Sequence, residues 1–351
     1  MNYLLYCGIA CVLALVITPL VRKLAFRLGC VDRPQGGRHI HTKETALLGG
    51  LAVIFSMVLA GGLYVLSGSF DFSVVPTKFV VGIVTGVFLL VLGGFFDDKY
   101  TLPARYSFVF PALAAAAVVA SGVGVGITIL TNPFGGVVHL GTLWLGVPIS
   151  AVFVWLWIVG MTYTTKLLDG LDGLAAGVSL IGGLVMFALS LTDKVNQPVT
   201  ATLAIIFVGA LAGYLFYAFN PASIFLGEIG STFLGFFLAV LAVLTGAKIA
   251  TAVLVMGIPI FDVAWAIVRR LWRRQNPFVG DREHLHFLLL DAGLSQRQAV
   301  LVFYALAGLF GFVAVFLQSM GKLVALFLLL AVMVGIVGAL ARVYRKKTSN
   351  E

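Results

Sequence analysis

Two carboxylates occupy an unusual position in this sequence. Asp169 and Asp172 lie three residues apart in KLLDGLDGLAAG, each followed by glycine, in a chain that is 61% apolar and 11% charged. Glycine lets a backbone turn tightly and approach a ligand closely, and the apolar segment that follows predicts a helix whose free amide groups attract anions. An alternative is that Asp172 caps this helix. That alternative leaves Asp169 and Lys166 unexplained, so the pattern favours a ligand site.

Other acidic side chains lie at the ends of apolar segments. Asp97 and Asp98 close an apolar run in GGFFDDKYTLPAR. At the carboxyl end of a helix they oppose its dipole and repel each other, which favours a nearby cation. The alternative is a solvated turn with Lys99 as the counterion. Glu228 lies between glycines in FNPASIFLGEIGS, after the Asn220–Pro221 turn, and the alternative for it is a helix-start residue that complements the dipole.

Basic and imidazole side chains in two polar segments predict contacts with a polyanion. DREHLHFLLLDAGLS carries Arg282, His284 and His286, and DRPQGGRHIHTKE carries Arg38 and His41. Two histidines two residues apart are poorly spaced for zinc on a helix, so we interpret them as phosphate or sugar contacts. For the arginines that precede the first segment, the alternative is an anchor on the cytoplasmic side of a membrane.

Asp262 is the one acidic residue inside an apolar span, in IPIFDVAWAIVRR. At the centre of a bilayer it would cost about 2.5–3.5 kcal/mol. Arg269 follows seven residues later, about 10 Å along a helix, so we expect Asp262 in the inner third of the membrane. Pro259 is expected to bend this helix and open a groove.

The elements that must position these residues are membrane helices. Mean hydropathy is +1.08, and residues 106–165 contain no Asp, Glu, Lys or Arg. Roughly 20 apolar residues cross the ~30 Å hydrocarbon layer. The sequence therefore predicts an all-α polytopic membrane protein with about eleven transmembrane helices, ten being the alternative count. The predicted spans are 3–21, 47–66, 78–96, 105–122, 148–165, 174–191, 199–218, 231–247, 249–268, 299–318 and 322–341.

The charges are sorted to one side of this topology. With the N-terminus outside and the C-terminus cytoplasmic, 19 of the 23 Lys and Arg residues fall at the cytoplasmic side, as the positive-inside rule requires. The arrangement predicts a single integral-membrane domain over 1–351 in the cell (plasma or inner) membrane, and no nucleic-acid partner, because the basic residues flank apolar spans. We expect residues 123–147 to form an extracytoplasmic hairpin or re-entrant piece. The predicted cytoplasmic loops are 22–46, 97–105, 166–173, 219–230 and 269–298.

Carboxylates, glycine turns and cationic groups therefore gather at one membrane face. This combination suits transfer of a phosphorylated group to a lipid, because clustered acids hold Mg²⁺ and the ion offsets the charge of a pyrophosphate. An ion-coupled transporter, the alternative, places its carboxylates near the midplane of the bilayer. A CDP-alcohol phosphotransferase has a longer pattern of spaced aspartates, which this sequence lacks.

The quoted motifs, in this order from residue 32 to 295, resemble those of the polyprenyl-phosphate N-acetylhexosamine-1-phosphate transferase family (glycosyltransferase family 4). The resemblance is to its WecA/TagO-like branch and, more distantly, to MraY. It implies a phosphoglycosyltransferase that moves N-acetylhexosamine-1-phosphate, with GlcNAc-1-phosphate expected, from a UDP-sugar to undecaprenyl phosphate at the cytoplasmic face. UMP is released, in the first membrane step of a cell-envelope polysaccharide. The implied cofactor is Mg²⁺, with Mn²⁺ as the alternative, and a homodimer is suggested.

The resemblance also implies roles for individual residues, in four groups. The catalytic residues are Asp97, which deprotonates or orients the prenyl phosphate, Asp98 and Asp169; the metal ligands are Glu228 and Asp169; the nucleotide-binding residues are Gly170, Leu171, Asp172, Asn220 and Phe225; and the phosphate- or sugar-binding residues are Lys166, Arg38, His41, Arg282, His284 and His286.

Two positions depart from the pattern of that family. Lys166 replaces an asparagine commonly tied to the metal, and Glu228 replaces a metal-binding aspartate. A protonated lysine cannot ligate Mg²⁺. We therefore hypothesise that Lys166 pairs with Glu228 or binds pyrophosphate directly, the alternative being a catalytically inactive member of the family.

Overall fold

The computed structural model describes residues 2–34, 44–127, 129–131, 136–142, 146–246, 248–274 and 284–348, and most of them are helical. The helices are α1 (Tyr3–Leu28), α2 (Gly49–Leu66), α3 (Thr77–Tyr100), α4 (Ala104–Ser107), α5 (Val109–Ala120), α6 (Ile149–Leu168), α7 (Leu174–Ser190), α8 (Pro198–Ala218), α9 (Gly227–Leu244), α10 (Ile249–Val255), α11 (Gly257–Trp272), α12 (Leu285–Asp291), α13 (Gln296–Phe316) and α14 (Ser319–Thr348). The strands are β1 (Val31–Asp32), β2 (Thr45–Ala46), β3 (Ile129–Thr131) and β4 (Val137–His139).

The helices confirm the predicted class of all-α polytopic membrane protein. Within the described ranges, seven helices are long and apolar enough to cross a membrane, and an eighth span results if α10 and α11 count as one. Three further apolar helices, at 104–120, 174–190 and 320–336, are shorter. The count of eleven spans and the orientation of the termini stay predictions.

The antiparallel pairing predicted within 123–147 is confirmed, while its extracytoplasmic location stays a prediction. Strands β3 and β4 pair antiparallel, with Ile129 opposite His139 and Thr131 opposite Val137. A second short antiparallel pair joins β1 to β2, and Ala46 also bridges to Ile224 in the loop before α9. These two short sheets connect loops to the ends of helices, and the protein remains in the all-α fold class.

A bend is predicted in the helix over 249–268, and the chain does bend by 81° between α10 and α11. The break lies at Met256 rather than at Pro259. Pro259 is in the first turn of α11, where an amide hydrogen would have no partner within the helix. Gly257 allows the start of α11 to pack against α14, because a Cβ there would lie 2.0 Å from Leu329 Cδ2.

Small residues let the central helices pack closely. Helices α8 and α9 are mostly buried within the bundle, and α1 packs along α8. A Cβ on Gly209 of α8 would lie 2.2 Å from the carbonyl oxygen of Cys7, and one on Gly50 of α2 would lie 2.2 Å from Gly230 in α9. Such approach is typical of helix packing in membranes. Large apolar side chains, among them Leu4 and Val16 of α1, are exposed on the outside, as a lipid-facing surface requires.

We predict that Gly209→Ala destabilises the protein and that Gly160→Ala does not. The added methyl group at Gly209 meets the backbone of α1, and overpacking of this kind costs about 1–3 kcal/mol. Gly160 lies in α6, and the point that its Cβ would occupy has no atom within 4 Å, so alanine there is tolerated or slightly stabilising. Thermal unfolding of the detergent-solubilised variants, followed by tryptophan fluorescence, measures both effects. Equal losses in the two variants would contradict the packing argument.

Candidate active site

A lysine surrounded by oxygen atoms lies where α3 and α6 end and α9 begins. Lys166 Nζ lies 2.5 Å from Glu228 Oε1 and 3.9 Å from Asp97 Oδ2. The three side chains are 23%, 16% and 14% exposed, respectively. The hypothesised Lys166–Glu228 pair is therefore confirmed, and residues that lie far apart in the sequence meet at one end of the bundle.

Ser107 completes this cluster and was not predicted from the sequence. Its hydroxyl group donates to Asp97 Oδ2 at 2.7 Å and accepts from Lys166 Nζ at 2.8 Å. Glu228 Oε1 lies 3.4 Å away as a second acceptor. The only signal in the sequence is a polar residue at the start of an apolar span, next to the loop that carries the paired aspartates, and that signal is too common to single Ser107 out.

Asp97 closes the loop that follows α3. Its Oδ1 accepts a hydrogen bond from the amide of Leu102 at 2.8 Å, and its nearest cation is Lys166. The alternative of a solvated turn does not hold for Asp97, because its side chain is only 14% exposed and its carboxylate faces Lys166 of α6. The cation that the paired aspartates require thus comes from another helix.

Asp98 holds the start of α9. Its Oδ1 accepts a hydrogen bond from the amide of Glu228 at 2.7 Å, where the helix dipole favours a negative charge. Gly227 makes this approach feasible: its φ is +68°, and a Cβ would lie 2.6 Å from Asp98 Oδ2. Oδ2 itself is buried and has no hydrogen-bond partner within the described part of the chain. These contacts position Glu228, while a catalytic role for Asp98 stays a prediction.

Asp172 links two loops at the same end of the bundle. The alternative that it caps α7 is wrong, because Gly173 is the N-cap residue and has no side chain with which to make a capping hydrogen bond. Instead, Asp172 Oδ2 accepts from Asn220 Nδ2 at 2.9 Å and from the amide of Ala222 at 3.0 Å. Asn220 also donates to Gln296 at the start of α13. Asp172 and Asn220, both predicted to bind the nucleotide, are thus in direct contact, and their nucleotide role stays a prediction.

Asp169 follows α6 and carries a perturbed carboxyl group. Protein atoms surround it, although the residue keeps some exposed surface. Burial first, and then the charges of Glu228 and Asp172, raise the pKa of Asp169 to about 7. Its charge is therefore half lost near neutral pH, unlike that of an ordinary aspartate.

Three of the predicted nucleotide-binding positions have structural tasks. A Cβ on Gly170 would lie 2.3 Å from His286 Nε2. The absence of a side chain at Gly170 therefore makes room for the imidazole ring of His286. The side chain of Leu171 is buried in the core, which leaves only its backbone for a ligand. Phe225 pairs through its backbone with Ala46 and Gly49. Nucleotide contacts at these positions stay predictions.

Asp262 has a partner that the sequence could not reveal. Its Oδ2 lies 2.9 Å from His284 Nδ1, and its Oδ1 accepts from the amide of Leu285 at 2.9 Å. This contact fixes the ring and places the proton on Nδ1, which leaves Nε2 as an acceptor in the neutral imidazole. Asp262 is thus a positioning group for the histidine motif rather than a lone acid facing lipid.

The two histidines are buried rather than open to solvent. His284 is 5% exposed and His286 is 1% exposed, and their parallel rings have centroids 5.7 Å apart. Burial lowers the pKa of His286 to about 4, so this ring is neutral at physiological pH. Neither of its nitrogens has a hydrogen-bond partner among the residues that the structure describes. Arg38, His41 and Arg282, the other predicted anion contacts, lie outside the described residues.

The predicted divalent metal does not fit beside Glu228. The ammonium group of Lys166 takes the carboxylate oxygen that a metal ion would need, and it has no lone pair with which to ligate one. In the described ranges, no group of three His, Cys, Asp or Glu side chains is placed to hold a metal ion. The donor set around Lys166 therefore suits an ammonium group.

The helical fold and the charged cluster at its helix ends define a polytopic membrane protein with a polar site, and comparisons with known proteins identify its family. Residues 80–246 match the sequence model of glycosyl transferase family 4. The chain is 34% identical over 327 residues to the probable undecaprenyl-phosphate N-acetylglucosaminyl 1-phosphate transferase of Bacillus subtilis, covering 90% of this chain and 85% of that protein. This chain belongs to glycosyl transferase family 4 and is a phosphoglycosyltransferase, as its motifs predicted.

Two further relatives show the breadth of the similarity. The decaprenyl-phosphate N-acetylglucosaminephosphotransferase of Mycobacterium tuberculosis is 32% identical over 333 residues, covering 86% of this chain and 79% of that protein. A phospho-N-acetylmuramoyl-pentapeptide-transferase of Staphylococcus aureus is 27% identical over 316 residues, covering 86% and 94%. The similarity thus extends over most of each chain, well beyond the segment that the family model matches.

We predict that Asp169→Asn stabilises the protein at pH 8 and has a much smaller effect at pH 4.5. A carboxyl group whose pKa is raised on folding destabilises the folded protein once it is charged. For Asp169, stability therefore falls as the pH rises from the pKa in the unfolded chain, near 4, to the pKa in the folded protein, about 7. Asparagine carries no charge and escapes this loss. Thermal unfolding of both proteins at the two pH values measures the difference.

Asp172→Asn serves as the matched control at the same pH values. The carboxylate of Asp172 accepts two hydrogen bonds, and bonds to a charged group contribute about 1.5–3 kcal/mol. We therefore expect this variant to unfold at a lower temperature at pH 8. If Asp169→Asn is destabilised as much as Asp172→Asn at pH 8, the argument from the raised pKa is wrong.

Proposed function

We propose that this protein transfers N-acetylglucosamine-1-phosphate from UDP-N-acetylglucosamine to undecaprenyl phosphate. The products are undecaprenyl-pyrophosphate-N-acetylglucosamine and UMP. Two relatives whose names specify N-acetylglucosamine transfer are 34% and 32% identical to this chain and a third is 26% identical, while the relative named for N-acetylmuramoyl-pentapeptide transfer is 27% identical. The observation that carries the proposal is a charged cluster at the end of the helical bundle. In this cluster the ammonium group of Lys166 lies among oxygen atoms of Asp97, Ser107 and Glu228.

The reaction requires little help from a base. The second pKa of a phosphate monoester is about 6, so a prenyl phosphate is mostly a dianion near pH 7. A non-bridging oxygen of this dianion attacks the β-phosphorus of the UDP-sugar. The new P–O bond forms while the bond between the β-phosphorus and the bridging oxygen breaks, and UMP leaves with that oxygen. Direct attack is our proposal, and a covalent aspartyl intermediate is the alternative.

The main barrier is the approach of two anions, which protein cations and orientation must overcome. Lys166 provides a positive charge between Asp97 and Glu228. Asp97 holds Ser107 against that lysine, so in this proposal Asp97 orients the acceptor phosphate through the cluster rather than by removing a proton.

A small cavity beside the cluster has both apolar and polar walls. Leu90, Phe110 and Pro111 contribute apolar walls, while Ser107 and Glu228 provide polar atoms in the same lining. A prenyl phosphate has the matching division, with an isoprenoid chain on one side and a phosphate on the other. In this proposal the phosphate lies toward Lys166, while the cavity itself has room for about one water molecule and not for an isoprene unit.

We further propose that the site faces the cytoplasm of a cell in whose membrane the protein is embedded. UDP-sugars are charged and do not cross a bilayer unaided, so the donor must reach the site from the compartment that contains it. The sorting of 19 of the 23 basic residues to this side of the predicted topology supports the orientation. The suggested homodimer stays a prediction.

We predict that the purified protein forms a radiolabelled lipid product from UDP-[³H]GlcNAc and undecaprenyl phosphate, with release of UMP in equal amount. Asp97→Asn breaks the arrangement of Ser107 and Lys166 and should lower the rate by about 10²-fold or more, comparable to loss of an electrostatic contact in a transition state. Asp71→Asn is the control, because Asp71 is exposed and its side chain bonds to nearby residues such as Ser73 in the loop before α3. A wild-type rate in Asp97→Asn removes that residue from the site, and no product from any UDP-hexosamine indicates an inactive family member.

The orientation has its own test in a protein whose native cysteines, Cys7, Cys11 and Cys30, are replaced by serine. Tyr100→Cys places a thiol at the end of α3, where the side chain is 61% exposed, and Gly141→Cys places one after the β3–β4 hairpin, also at an exposed position. A membrane-impermeant maleimide should label the Gly141→Cys protein in intact cells and the Tyr100→Cys protein only after permeabilisation. The reverse pattern would place the cluster on the outer side of the membrane.

A further inference from the structure

We propose that the ammonium group of Lys166 is the cation of the transfer site, so that the proposed reaction proceeds without a divalent metal ion. This inference rests on the proposed function for its activity readout, but not for its binding readout. It assigns Lys166 as the group that contacts a substrate phosphoryl oxygen and Glu228 as the residue that positions it.

The first step is the shell of oxygen atoms around Lys166 Nζ. Glu228 Oε1 lies at 2.5 Å, Ser107 Oγ at 2.8 Å and Asp97 Oδ2 at 3.9 Å. Carboxylate and hydroxyl oxygens are also the ligands that a hard divalent cation takes. The same oxygen atoms cannot serve both cations, because a divalent ion at this point would displace the ammonium group and meet its positive charge.

The second step is the hydrogen-bonding capacity of the ammonium group. Lysine has three N–H donors and no acceptor. Glu228 and Ser107 occupy two of these donors, whereas Asp97 lies beyond hydrogen-bonding distance at 3.9 Å. Lys166 makes no further hydrogen bond to the residues that the structure describes, so one donor is available to a phosphoryl oxygen, and a side chain that is 23% exposed can be reached.

The third step is the rigidity of the arrangement. Lys166 lies in the last turn of α6, Glu228 in the first turn of α9, and Asp98 fixes the amide of Glu228 from α3. A long lysine side chain normally loses much rotamer freedom when it binds a ligand. Here that freedom is already restricted by Glu228 and Ser107 before substrate arrives, which is the preorganisation that electrostatic catalysis requires.

The experiment compares the purified full-length protein with Lys166→Gln, Glu228→Gln and Lys99→Gln after removal of metal by EDTA. Lys166→Gln keeps the length of the side chain but leaves the carboxylates of Asp97 and Glu228 without their cation. Lys99→Gln removes the same charge from the neighbouring loop, where the ammonium group lies over aromatic rings and outside the cluster. Elution as a single species in size-exclusion chromatography verifies that each variant is folded.

The binding readout is titration with Mn²⁺ alone, followed by the electron paramagnetic resonance signal of the free ion. We expect Lys166→Gln to bind Mn²⁺ at least tenfold more tightly than the wild-type and Lys99→Gln proteins, because only this variant frees two carboxylates for a divalent ion. Glu228→Gln, which retains the lysine, should bind no better than wild type. Equal Mn²⁺ affinity in wild type and Lys166→Gln would overturn the proposal.

The activity readout is sugar-phosphate transfer in EDTA and in millimolar Mg²⁺. Wild type and Lys99→Gln should keep their rates in EDTA within about twofold. The transfer rate of Lys166→Gln should fall by about 10²-fold in EDTA, and Mg²⁺ should restore part of that rate. The rate of Glu228→Gln should not depend on metal, and its KM should be raised. Loss of wild-type transfer in EDTA with recovery in Mg²⁺ would overturn the proposal. If wild type shows no transfer in either condition, the proposed function fails, and the Mn²⁺ titration still decides the role of Lys166.

Discussion

A single ion pair joins the parts of this site. Lys166 and Glu228 come from the end of α6 and the start of α9, and both are mostly withdrawn from solvent. Charges removed from water are costly, and loss of one partner from a buried pair leaves the other uncompensated, typically at about 3–5 kcal/mol. An acidic residue at position 228 therefore requires a cation nearby. Asp97 strengthens this requirement, because it adds a second negative charge beside Glu228.

Close packing of the helices makes this pairing feasible. Gly94 of α3 faces the backbone of Ile229, and Gly50 of α2 faces Gly230, each with too little space for a Cβ. Because these backbones approach closely beside the start of α9, Asp98 reaches the amide of Glu228. Packing of small residues within the membrane thus determines which polar groups meet at its edge, and the geometry of the site follows from apolar contacts as much as from charges.

The sequence predicted the parts of this site that depend on composition and local pattern. Long apolar runs predicted the helical class, and the paired departures at Lys166 and Glu228 predicted their contact. Ser107 and the Asp262–His284 contact were not predicted, and the bend predicted at Pro259 lies at Met256 instead. Each depends on which residues meet across helices, and a serine or an aspartate carries no local signal of a partner that is distant in the sequence. Gly170 shows the same limit, because its neighbour His286 lies on another element.

The site balances its negative charge in two different ways. Around Glu228 and Asp97 a lysine provides the positive charge, whereas at Asp169 burial and neighbouring carboxylates raise the pKa to about 7, so that a proton can remove the charge instead. In the proposed reaction, a diphosphate at this end of the bundle meets the ammonium group of Lys166 and, at Asp169, a carboxyl group of variable charge. Repulsion from Asp169 is least when it is protonated, so in this proposal Lys166 provides the attraction for the anion and Asp169 changes only the repulsion.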